Sequence, residues 1–237
     1  MDFSIIFGNI DIYLEGLKNT ILLVSISLMI GLVIAVPLAV LRTSKNILIT
    51  APIRAFVYFF RGTPLLVQIF IIYYGFGQFE ALKSSLLWPF FKEAYLCALL
   101  AFTLNTAAYT TEIIRGAIVA TPHGEVEAAK AAGMSKMLMF RRIILPSAFR
   151  RALPAYSNEI IFMLHGSSLA SVITIIDITG AARIINSRFY SPYEAFLTAA
   201  VFYLCLTFSI IWVIKKLEFR WSGHLRPQEV IAAETHG

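Results

Sequence analysis

Asn105, Tyr109 and Glu112 fall four and then three residues apart in an apolar stretch, a spacing that sets an amide, a phenol and a carboxylate on one helical face. Asn158, Phe162 and His165 draw a second line, with Glu159 beside it and Ser167, Ser168 and Ser171 beyond. Polar groups inside an apolar helix are costly in lipid unless they pair or face a cavity. At 1.5 Å per residue, Glu159 lies on the order of 12 Å in from Arg151, and Asn105 sits at comparable depth. Two acidic groups within membrane helices point to a cavity that accepts a cation. Tyr73-Tyr74-Gly75-Phe76-Gly77 adds a glycine pair able to turn backbone carbonyls toward a ligand. Each candidate also has a structural alternative. Glu112 pairs with Arg115, Glu159 with the basic rim at Arg150 and Arg151, and His165 with a neighbouring hydrogen bond. Asn105, Ser168 and Ser171 join helices, and Tyr73 and Tyr74 anchor an interface.

The chemistry on offer is recognition. The sequence holds no glycine-rich phosphate loop ending in Lys-Ser or Lys-Thr, no kinase-like loop and no His-Glu-x-x-His metal motif. No catalytic residue, metal ligand or cofactor is therefore assigned to this chain. Cys97 and Cys205 lack metal-ligand spacing and read as small buried hydrophobes.

The elements that must position these groups are membrane helices. Apolar residues make up 58% of the chain, charged residues 14%, and mean hydropathy is +0.75. A bilayer core takes about 20 mostly apolar residues per helix. Stretches near 17–41, 55–79, 94–118, 151–175 and 193–214 meet that need, and the connections between them are too short for a soluble domain. One all-α integral membrane domain is expected over 1–237. Asp2, Asp11 and Glu15 at the start replace the basic cluster of a cleavable signal peptide, so the first helix is expected to remain as an anchor. Of the 20 Lys and Arg, fifteen fall in or beside one set of connections and five in the other set with the N-terminus. Positive charge gathers on the cytoplasmic side, which predicts the N-terminus outside and the C-terminus inside. Net charge +6 is explained by that topology, without nucleic acid. The tail 227–237 is expected to be disordered.

Between the third and fourth spans, 121–146 departs from the apolar pattern. Thr121-Pro122 is expected to open a helix, the hydroxyl capping free donors and the proline sitting where no donor is lost. Glu125 and Glu127 lie in its early turns, where negative charge meets the positive helix end. Ala128, Ala129, Ala131 and Ala132 leave almost no bulk, so a partner's groove can approach the backbone. Gly133 suits the left-handed residue that ends such a helix. After Met134, Ser135 is expected to cap a second segment, Lys136 to Ile144, closed by Pro146. A helix, a glycine elbow and a helix make a compact knob for docking.

Glu127-Ala128-Ala129 followed by Gly133 and Ile143-Ile144-Leu145-Pro146 resembles the EAA loop of bacterial ABC importer membrane subunits, the segment that docks into a separate ATPase. Nearly the whole chain is similar to the polar-amino-acid branch, nearest the histidine and lysine/arginine/ornithine permease type. The likeness is carried by Arg61-Gly62-Thr63-Pro64, Leu104-Asn105-Thr106, Ala108-Tyr109-Thr110-Thr111-Glu112-Ile113, Thr121-Pro122-His123-Gly124-Glu125 and Leu153-Pro154-Ala155-Tyr156-Ser157-Asn158-Glu159. The resemblance implies a five-helix type I importer transmembrane domain in the bacterial cytoplasmic (inner) membrane. It implies two ATP-binding subunits that hold ATP and Mg, a periplasmic solute-binding protein, and a second membrane subunit, a paralogous heterodimer being preferred over a homodimer. The cargo implied is a polar, cationic amino acid such as arginine, histidine, lysine or ornithine, carried by alternating access.

Substrate binding is expected at Asn105 above all, with Tyr109, Glu112, Asn158, Glu159, His165, Ser168, Tyr73 and Gly75. ATPase docking is expected at Glu127, Ala128, Ala129, Gly133, Met134 and Ser135. One departure stands out. Where many relatives have Lys-Asp before Ser/Thr-Ser-Leu, this chain has His165-Gly166 before Ser167-Ser168-Leu169. Either Glu159 compensates or the paired subunit carries the better site. The competing class is an ion-coupled secondary transporter without an ATPase partner, although the internal inverted repeats common in that class are not evident here.

Overall fold

The computed structural model describes residues 3–222, so the 227–237 tail lies outside the described residues. Among those residues every regular element is helical. Helix α1 (Ile10–Arg42) begins ahead of the apolar window because Asp11 and Glu15 do not break it. They sit in its first turns, where carboxylates meet the positive end of the dipole. Helix α2 (Ile47–Gly62) starts at Asn46, whose side chain accepts from the Leu48 N–H at 3.0 Å.

The stretch 55–79, expected as one span, is split. Helix α3 (Leu65–Phe70), prolonged by a π turn at Ile71–Gly75 and a 3-10 turn at Phe76–Gln78, meets α2 at 106°. The cause is local. A residue before proline avoids the helical region, and Thr63 is extended at φ −116° and ψ 143° with Pro64 behind it. Two one-turn helices, Glu80–Lys83 and Trp88–Phe91, lead to α4 (Ala94–Val119).

Helix α5 (His123–Ala131) and the single turn α6 (Lys136–Met139) form the elbow. Pro146 does not close the segment before it. The chain passes from α6 through a π turn at Phe140–Ile144 directly into α7 (Leu145–Gly166), and a 3-10 stretch runs on to Ile173. A proline in a helix's first turn gives up no hydrogen bond, so the axis continues. Thr174 turns the chain in the left-handed region at φ 73°, and α8 (Ile178–Phe189) follows at 45° to the preceding helix. Helix α9 (Pro192–Ser222) completes the described chain. Three helices, α1, α4 and α9, are long and apolar enough to cross a membrane, or up to five spans if each bent pair counts as one.

Helix α4 is the centre of the bundle. Of its most apolar window 67% is buried, against 11% for α9, so α9 presents most of its surface outward. The tightest seam lies between α1 and α4. Ser27, Gly31, Ala35 and Ala39 recur every four residues on the buried face of α1, and a Cβ at Gly31 would lie 2.4 Å from the Thr106 Cγ2. Lipid offers no hydrophobic drive between helices, so small residues that let backbones approach supply the packing.

At the end of the bundle away from the elbow, the turn into α8 is clasped from three sides. Asp177 is fully buried. Its carboxylate accepts from the Gly180 N–H at 2.7 Å and the Tyr203 hydroxyl at 3.0 Å. Thr20 Oγ1 accepts from the Ile178 N–H at 3.3 Å, and Asn19 donates to the Ile176 carbonyl at 2.9 Å. Tyr13 donates to the Ala195 carbonyl at 2.9 Å. Gly16 makes the approach possible, since a Cβ there would stand 2.6 Å from the Asp177 carbonyl oxygen. Gly16→Ala is therefore expected to destabilise the purified protein by about 1–3 kcal/mol. Gly116→Ala, with open space around it, is the control. Thermal unfolding in detergent reads both, and equal melting points for the two variants would count against the clasp.

Candidate functional site

The break between α2 and α3 makes the site. A helix end leaves carbonyls without partners, and inside a membrane each must be satisfied by protein. Gln68, one turn into α3 and 2% exposed, answers this need. Its amide nitrogen lies 2.8 Å from the Phe60 carbonyl, 3.0 Å from the Thr63 carbonyl and 2.8 Å from Thr63 Oγ1. Thr63 Oγ1 also donates to the Phe59 carbonyl at 2.8 Å. Asn105 on α4 completes the knot, donating to Gln68 Oε1 at 3.0 Å and reaching the Phe60 carbonyl at 3.4 Å.

Beside this knot opens a cavity of about 540 Å³, walled by Arg61 to Leu65 on one side and by Asn105, Tyr109, Glu159, Phe162 and Met163 on the other. Glu159 is only 6% exposed. The Arg61 guanidinium lies 5.1 Å from the centroid of the Tyr109 ring, a cation–π contact. No ion pair within 4.0 Å joins Arg61 to Glu159, so a basic and an acidic side chain stand apart on the walls of one cavity.

Of the residues expected to bind substrate, the cavity brings together Asn105, Tyr109 and Glu159. Glu112 lies elsewhere, in an ion triad with Arg115 at 2.7 Å and Arg42 at 3.5 Å that ties the end of α1 to α4. Asn158 is exposed and off the cavity wall. His165 Nε2 sits 3.2 Å from Thr207 Oγ1, and Ser168 donates back to the His165 carbonyl at 2.8 Å. Tyr73 lines a separate cavity of about 290 Å³ with Tyr74, Trp88 and Lys92, and Gly75 ends the π turn nearby. Gln68 and the lining role of Arg61 escaped the sequence reading. A lone amide in Leu65-Leu66-Val67-Gln68-Ile69-Phe70 was the available signal.

The elbow is built by backbone rules. Gly133 has φ +72°. Its N–H bonds the Lys130 carbonyl at 2.9 Å, and the Met134 N–H bonds the Ala129 carbonyl at 3.1 Å, the paired bonds of a Schellman end. Ser135 Oγ caps α6 by accepting from the Leu138 N–H at 3.3 Å. Glu127, Ala128, Gly133 and Ser135 are exposed, Met134 is half-buried, and Ala129 is buried against the rest of the elbow. Thr121 does not cap α5. Its hydroxyl donates to the Ile118 carbonyl at 2.7 Å and accepts from Arg151 Nη2 at 2.8 Å. Arg151 also reaches the Ala117 carbonyl at 3.3 Å and Glu125 at 3.9 Å, so it fastens the elbow to α4 and α7 and is occupied away from Glu159.

This architecture is the type I ABC importer transmembrane domain. A crystal structure of an amino acid ABC transporter with histidines superposes with a TM-score of 0.83 at 31% identity, covering 93% of this chain and 99% of that one. An inward-facing MetNI methionine ABC transporter shares the fold, at TM-score 0.68 and 19% identity over 88% of this chain and 95% of its own. The chain belongs to the family of binding-protein-dependent transport system inner membrane components, whose model matches residues 27–223. Within it the chain is a permease subunit of the polar amino acid branch. The nopaline transport system permease protein NocM of Agrobacterium fabrum is 46% identical over the full length of both chains. The octopine transport system permease protein OccM of Rhizobium meliloti is 50% identical over 82% of this chain and 80% of its own. The histidine/lysine/arginine/ornithine transport system permease protein HisM of Escherichia coli is 48% identical over 90% of both.

Gln68→Leu keeps much of the volume but orphans the Thr63 carbonyl and leaves the Phe60 carbonyl with only the longer Asn105 contact. A loss of roughly 1–3 kcal/mol is expected, read as a lower unfolding midpoint. An unchanged midpoint would mean that the break needs no amide.

Proposed function

We propose that this chain is one of two membrane subunits of an ATP-driven importer for cationic amino acids in the bacterial inner membrane. The N-terminus faces outward, and the elbow faces the cytoplasm, following the fifteen-to-five division of basic residues. The observation that carries the reading is a carboxylate, Glu159, nine-tenths buried at mid-helix on the wall of a cavity. In an apolar setting such a group favours a cation. The HisM relative, named for histidine, lysine, arginine and ornithine, supports that substrate class. The relatives named for nopaline and octopine transport extend the candidate cargo to those compounds.

ATP binds and is hydrolysed in two partner subunits with Mg, and an external solute-binding protein delivers the cargo. Each partner ATPase docks on Glu127, Ala128, Ala129, Gly133, Met134 and Ser135. A paralogous second membrane subunit faces this one across the path. Closure of the ATPases draws the two elbows together. The helix that runs unbroken from Lys136 to Ile173 carries Glu159 on the same rod, so force at the elbow re-aims the cavity wall. The cycle then needs only differential binding to two states. An ion-coupled transporter would instead take up cargo without nucleotide.

Gly133→Val leaves the elbow sterically free but strains a backbone at φ +72°. Uptake is expected to fall by about tenfold or more while the chain still inserts, with ATP turnover no longer stimulated by the binding protein. Normal coupled uptake would sink the docking role. Glu159→Gln is expected to weaken arginine uptake more than citrulline uptake, and equal losses remove Glu159 from the site.

A further inference from the structure

A second hollow, of about 650 Å³, opens on the elbow's side of the cavity, where the first turns of α7 meet α1, α4 and the end of α9. Leu32, Ile114, Phe149 and Leu153 wall it with apolar surface, and Trp221 and Arg150 stand in its lining. Among the described residues Arg150 alone brings it a charge. We propose that this groove holds one phospholipid of the leaflet on the elbow's side, an acyl chain against the apolar wall and an anionic headgroup at Arg150.

Size and charge choose that occupant. A helix about 10 Å across fills roughly 420 Å³ per turn, so the groove would take barely one and a half turns of a partner's helix. A hydrocarbon chain is slimmer, and lipid tails are as apolar as the leucines that wall the groove. Arg150 lies in the second turn of α7, and its Nε donates to the Pro146 carbonyl at 3.3 Å, which bends the side chain back toward the elbow. A guanidinium is charged at every physiological pH and meets phosphate oxygens in a two-pronged fit. Lys215, Lys216 and Arg220, all exposed, occupy the last two turns of α9 before Trp221, with Glu218 the one carboxylate among them. Across Arg150 and these turns, basic side chains stand four against one. Trp221 is 54% exposed, and Lys216 Nζ lies 5.1 Å from the centroid of the Trp212 ring. Such a mixture of indole rings and ammonium groups marks a helix end at the headgroup level. Basic pockets between membrane helices are sites that anionic headgroups occupy.

The test is photolabelling of the full-length chain, reconstituted in liposomes with the subunits that co-purify with it. The probes are phosphatidylglycerol and phosphatidylcholine carrying a diazirine in the acyl chain, with adducts mapped by peptide mass spectrometry. In the wild type, phosphatidylglycerol is expected to label the groove residues about fivefold more than phosphatidylcholine. Arg150→Gln is expected to bring the two lipids to the same level, and Arg150→Lys to keep most of the difference. The exposed pair Lys216→Gln and Arg220→Gln tests the charge without touching α7, and a fall of about twofold or more in phosphatidylglycerol labelling is expected. Leu153→Trp, which fills the groove and leaves the charge, is expected to lower both lipids together. Unchanged labelling at Phe208, 65% exposed on the outward face of α9, shows that each variant is inserted. Equal labelling of the groove by the two lipids in the wild type, or no labelling there, overturns the inference. So does phosphatidylglycerol labelling that neither Arg150→Gln nor the α9 pair moves. Groove labelling that arises only after removal of residues 223–237 means that the chain's own end covers the site, and also overturns it.

Discussion

A helix interrupted inside lipid leaves backbone carbonyls that only protein can satisfy, and in this molecule two amides carry that duty. Gln68 and Asn105 close the gap between α2 and α3 by holding the Phe60 and Thr63 carbonyls. Everything at the cavity follows from the gap being tolerable. The 106° turn swings Arg61 to Leu65 away from a regular helix and opens space beside α4. Asn105 therefore has two aspects, since the same amide that lines the cavity also keeps its wall standing.

The rest of the bundle holds this arrangement at fixed points. The small-residue seam between α1 and α4 sets the helix on which Asn105 and Tyr109 ride. The Arg42–Glu112–Arg115 triad ties α1 to α4 at one end, and the Asp177 clasp ties α1, α8 and α9 at the other. Beyond the triad Arg151 fastens α7 to the elbow. The fastening charges thus sit near helix ends, while the most apolar stretch of α9 faces outward.

Helix-forming stretches and their order were legible because a membrane helix announces itself by length and apolarity. The face shared by Asn105 and Tyr109 was legible from its period. Where the cavity stops was not, because a period defines a face without saying how far along it a neighbour stands; one turn on, Glu112 meets Arg42 from a different helix. Glu159 and Asn158 are adjacent in sequence, yet one is buried at the wall and the other exposed. The split at Thr63-Pro64 was hidden inside an apolar window that reads smoothly across it. Asp177 carries only the local sign of an N-cap, its bond from the Gly180 N–H, while Tyr203 comes from a distant part of the chain and only folding brings it to the carboxylate.

The π turn at Phe140–Ile144 gives the long rod one residue more per turn than regular winding requires. That surplus residue puts the two halves of the rod out of phase by about 100°, the angle one residue subtends in an α-helix. Faces counted upward from Ser135 in regular steps therefore miss Glu159. The elbow and the acidic wall are thus set at a fixed angular offset along one rod by that extra residue.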